Sequence, residues 1–153
     1  MPNLLIFFLE VRRLYQLLCL PGIMQSNTRK KCLKNLAESS KYFINVVNSY
    51  LDCENFKKEL KDGKCQFPAI VVIKTRQDDV DGTYILFNDV MHSVNDPLQA
   101  VDYCFKIFDV LNLDYPQETL FIWLLIQKGF FDIVRGDQLL NPQVERMVDS
   151  LKK

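Results

Sequence analysis

The stretch Gln77-Asp78-Asp79-Val80-Asp81-Gly82 brings three carboxylates and a glycine close together, as calcium loops do. Counted from Gln77, Asp79, Asp81 and Gly82 fall at the third, fifth and sixth positions of an EF-hand loop. The match fails at both ends. Gln77 stands at the first ligand position, and Asn88 stands where a bidentate glutamate is needed. The stretch therefore reads as a polar hairpin loop in which Asp and Gly supply turn geometry. His92 is the single histidine, and the thiols are Cys19, Cys32, Cys53, Cys65 and Cys104. A Cys–His nucleophile would need one of these folded beside His92, and no spacing specifies that meeting. No close pair of thiols marks a zinc site. The odd count and wide spacing predict reduced thiols packed as small hydrophobes in an intracellular protein, of the cytoplasm or nucleus. The scattered glycines form no phosphate loop. The pattern predicts no catalytic residue, no metal ligand and no cofactor.

The remaining chemistry is electrostatic. Nineteen basic and nineteen acidic residues cancel, so no global field attracts a polyanion. Residues 1–62 are mildly basic, with ten Lys/Arg against six Asp/Glu. Arg29, Lys30, Lys31 and Lys34 concentrate this charge and are the candidate phosphate contacts. No aromatic residue interleaves with them as a stacking platform would require, which favours a solvated helix face.

The elements that carry these residues follow from hydropathic period and punctuation. Asn3–Leu20 and a segment from Ser26 or Asn27 to about Leu51 have apolar residues at helical spacing, and a short turn is expected around Glu54–Leu60. The apolar run Leu4–Leu9 is too short to span a bilayer, and its charges follow it rather than precede it, so no membrane role is expected. Phe67–Lys74 is β-branched and apolar on both faces, as in a strand covered on both sides. After the polar loop Thr75–Gly82, Thr83–Asn88 and Val90–Val94 read as antiparallel neighbours. Asp96-Pro97 with Gln99 starts a helix that runs to about Leu111 and is apolar enough to pack on more than one side. Pro116 is expected at the first position of the next helix, whose segment Leu120–Ile126 is apolar all round. Gly136 ends the compact part, and Pro142–Leu151 reads as a polar surface helix.

The expected fold is α+β: a small antiparallel sheet of two or three strands packed with helices and preceded by an N-terminal helical segment. Its divisions are 1–62, 63–136 and 137–153, all within one domain. The order of features from residue 29 onward, closing with Phe108-Asp109-Val110-Leu111-Asn112-Leu113-Asp114-Tyr115-Pro116 and a helix containing Trp123, resembles the C-terminal region of a large group of uncharacterised animal proteins. Some of those carry a sterile alpha motif domain or are associated with mobile elements. Leu111 departs from the group's usual aromatic, and the segment before residue 25 is unlike it. The resemblance implies one folded unit over Phe67–Val134 and no known activity. The resulting expectation is a non-enzymatic protein-interaction module of unknown partner, homo-oligomers included. Phe121, Trp123, Leu124 and Phe130 are its candidate contacts, because large aromatics carry most interface energy. The alternative is nucleic-acid association of mobile-element origin through the basic helices.

Overall fold

The computed structural model describes residues 41–63, 66–74, 80–134 and 142–151. The expected helix Asn3–Leu20 and the basic residues Arg29, Lys30, Lys31 and Lys34 lie outside the described residues.

Residues 41–43 are helical, and the chain then extends into strand β1 (Ile44–Val47). This corrects the expected continuous helix to Leu51. Ile44, Val46 and Val47 are β-branched, lose rotamer freedom in a helix, and suit a pleated strand. A new helix, α1 (Tyr50–Asp62), begins after Ser49. The Ser49 hydroxyl accepts the Asp52 amide at 3.2 Å and donates to the Asp52 carboxylate at 2.8 Å. It thus satisfies a backbone donor that a helix start leaves free. The short turn expected over Glu54–Leu60 is the body of this longer helix. Cys53, Phe56 and Leu60 form its buried stripe.

Strands β2 (Ala69–Lys74), β3 (Val80–Phe87) and β4 (Val90–Val94) follow, then helices α2 (Pro97–Val110), α3 (Leu120–Gly129) and α4 (Pro142–Leu151). The four strands form one sheet in the order β1-β2-β3-β4. β1 runs parallel to β2, with Ile44 opposite Ile70, while β2–β3 and β3–β4 are antiparallel. The α+β class holds, but two or three antiparallel strands become four strands in a mixed sheet. The extra strand is β1, and α1 is the crossover that any parallel pair requires. Asn88 and Asp89 both take positive φ in the two-residue turn between β3 and β4, which is the type I′ geometry that matches strand twist. Val80, Asp81 and Gly82 belong to β3 rather than to a loop. The β2–β3 register shifts there, with Gly82 opposite Ile73 and Val80 opposite Lys74.

Side chains alternate across the sheet and build two cores. Ile44, Ile70, Val72 and Ile85 face α2, α3 and α4. Val47, Ala69, Val71, Ile73 and Leu86 face α1. α4 is not a bare surface helix, because Val144 and Val148 enter the larger core. Lys128 of α3, itself buried, pairs with Glu145 of α4. α3 also starts later than expected: Pro116 opens a turn, and Thr119 precedes the first helical residue without a side-chain cap.

The cap at Ser49 separates the two readings of this segment by the sign of one mutation. Ser49→Ala would slightly stabilise a continuous helix, since Ala is the better helix former. At the observed cap it should instead lower stability by about 1 kcal/mol. Urea denaturation of both proteins measures the difference.

Candidate interaction surface

Helix α2 is placed by its start. The Asp96 carboxylate accepts the Gln99 amide at 2.9 Å, and the Gln99 side-chain oxygen accepts the Asn95 amide at 2.9 Å. This exchange fixes the phase of the helix. Ala100, Val101, Cys104, Phe105 and Phe108 are turned inward. The opposite side carries Tyr103, Ile107 and Val110, spaced by four and three residues and so stacked on one face. Tyr103 is 43% exposed and Val110 79% exposed, and Leu111 beside them is also in water. Ile107 is partly buried. The Lys106 ammonium lies 5.8 Å from the Tyr103 ring centre and bonds the Asp102 carboxylate at 2.6 Å. Lys106 and Asp102 therefore neutralise each other within the helix. The helix was expected to pack on more than one side, but Tyr103 and Val110 of its second apolar side face solvent.

The four candidate contacts from the sequence divide. Phe121 (40% exposed) and Phe130 (49% exposed) reach the surface at the two ends of α3. Trp123 and Leu124 do not. Both are buried in the larger core, which corrects their assignment as contact residues. The Trp123 ring meets Phe43 at 5.3 Å, Phe108 at 5.0 Å and Tyr115 at 6.0 Å. The physical reason is the position of α3, which is covered so completely that Ile122–Lys128 are all buried. Gln127 is satisfied there, accepting the Tyr115 hydroxyl at 2.9 Å and donating to the Ile133 carbonyl at 3.1 Å.

The groups that could have done chemistry are dispersed. His92 is exposed on β4, on the same sheet face as its partner Ile85. Cys53 lies under the opposite face, 3.5 Å from the Met91 sulfur. Burial pushes the Cys53 thiol up, assisted by Glu54 and opposed by Lys57. Burial alone pushes the Cys104 thiol far up, with no imidazole or cation acting on it. Among the described residues no group of three or more His, Cys, Asp or Glu could hold a metal ion. Asp78 and Asp79 of the calcium-like stretch lie outside the described residues, and Asp81 is in β3. A cleft of about 320 Å³ lies between α1 and the β3–β4 turn. Its polar lining is Lys57, Lys61, Gln66, Asn88 and Asp89. Asp89 bonds Lys61 at 2.8 Å and raises the lysine's pKa, so each occupies the other. No helix among the described residues is long and apolar enough to cross a membrane.

No family model, curated protein or solved structure matches the chain.

Two outcomes test this placement. Trp123→Ala should cost about 3–5 kcal/mol of stability, the range for emptying a large aromatic site. Phe121→Ala and Phe130→Ala should each stay within about 0.5 kcal/mol, as surface changes do. Thermal unfolding compares them. In mildly alkaline buffer, Cys53 and Cys104 should resist alkylation in the native protein and react fully once it is unfolded, because the thiolate is the reacting form. Mass-spectrometric mapping reads the two sites separately.

Proposed function

We propose that the protein is a non-enzymatic protein-interaction module and that the outer face of α2 is its principal contact surface. The observation carrying this reading is the exposure of Tyr103 and Val110 on one face of α2, with part-buried Ile107 between them and exposed Leu111 beyond. A single exposed apolar side chain needs no explanation, but several aligned on one helix face form a strip that loses water contact favourably against a partner. The Asp102–Lys106 pair flanks the strip without adding net charge. A partner of apolar surface is therefore preferred over a polyanion. Phe121 and Phe130 are the secondary contacts. Kinship with the animal-protein group noted above is part of the same proposal. It rests on Phe108–Pro116, the segment in which α2 ends.

The test is capture from a native extract with the intact chain and with a Tyr103→Lys, Val110→Lys variant. Both substitutions lie on the solvent side, so the fold should be kept, as circular dichroism would verify. A partner retained by the natural sequence, lost by the variant and held equally well in high salt supports the reading. Binding that collapses with salt would indicate phosphate contacts instead. Equal capture by both proteins would remove α2 from the interface.

A further inference from the structure

We propose that two copies of this chain join edge to edge through β4, pairing antiparallel about a two-fold axis at His92. This goes beyond the α2 contact surface and uses different residues. β4 pairs with β3 on one side, and among the described residues no strand lies along its other side. An open edge presents a row of unpaired backbone donors and acceptors, a ready template for another strand. Proteins that must avoid such pairing blunt the edge with charge, proline or a bulge. Val90-Met91-His92-Ser93-Val94 has none of these: it contains no Lys, Arg, Asp, Glu or Pro. Its pairing with β3 is regular from Phe87–Val90 to Thr83–Val94, so no bulge twists the edge away. The irregular pairing sits between β2 and β3, inside the sheet.

The occupant follows from the symmetry of the strand. An antiparallel pair of identical strands is self-complementary, as a two-fold interface requires. With His92 at the axis, Val90 faces Val94 of the second copy, and Met91 faces Ser93. Opposed residues of an antiparallel pair lie on the same face of the sheet. Val90 and Val94 are on the α2 side with Ile85, and Val90 is 50% exposed. The half-exposed Val90 of each copy would gain a β-branched cross-strand neighbour in the part-buried Val94 of the other, a favourable pair. The product is one continuous eight-stranded sheet. β1, the opposite edge, has only four residues to offer.

Sedimentation velocity of the intact chain, from low to high micromolar concentration, is the test. The expected result is a concentration-dependent doubling of mass. His92→Lys places two ammonium groups directly opposite each other and should weaken the dimer several-fold, most at low salt, while His92→Thr should keep its strength. Val110→Lys, which disables the α2 surface, should also keep it. As a readout independent of any variant, β4 amides should become protected from hydrogen exchange as the natural chain dimerises. A natural chain that stays monomeric, a dimer no weaker in His92→Lys than in the natural chain, or a dimer lost in Val110→Lys would each overturn the proposal. The last would place self-association on α2 and leave the interaction reading standing.

Discussion

Strand β2 has no side left for water. Ala69, Ile70, Val71, Val72 and Ile73 are all buried, odd positions against α1 and even positions against the α2–α4 layer. A strand of this composition is stable only where both of its faces are covered and both of its edges are paired. The rest of the architecture answers that requirement. β1 and β3 supply the edges, α1 covers one face while linking β1 to β2, and the remaining helices cover the other. The structure is three layers deep around six residues.

Within the thicker layer, Trp123 ties together pieces that are far apart in the chain. Its ring meets Phe43 before β1, Phe108 on α2 and Tyr115 in the connection between α2 and α3. Edge and stacked contacts of this kind are worth more than their buried area alone. They explain why the apolar run on α3 is used inward and why so little of it is left for a partner. The surplus apolar surface is instead on α2, where the inward stripe takes only one side of the helix.

Much of this was legible in the chain. The double-sided strand at Phe67–Lys74 declared itself through uninterrupted β-branched residues, and the start of α2 through Asp96, Pro97 and Gln99. β1 was not legible, because Phe43–Val47 also fits the helical spacing of the residues before it. Its strand state is decided by pairing with residues 70–73, which no local window contains. The Ser49–Asp52 cap was the available signal. Val80–Gly82 departs from its expected loop for a related reason, since Asp and Gly are poor strand formers and tertiary pairing overrides them. Gly82 has its own justification: a Cβ there would come within 2.6 Å of the Tyr84 ring, which lies across it. At the candidate surface, the sequence named apolar helices but not their phase. In an all-apolar segment such as Leu120–Ile126, neighbours like Phe121 and Trp123 look equivalent until the packing around them is known.

The placement of α4 bears on how the chain is made. Val144 and Val148 belong to the same core as Ile70 and Trp123, yet they lie beyond the connection at residues 135–141. On a ribosome, every other element of the sheet and its helices emerges first. Until Val148 has been added and the Lys128–Glu145 pair can close, the α3 side of the domain stays open and apolar. Exposed apolar surface on incomplete chains is what chaperones hold and what drives aggregation. A chain that lacks α4 therefore leaves part of the larger core uncovered, even when every strand is in place.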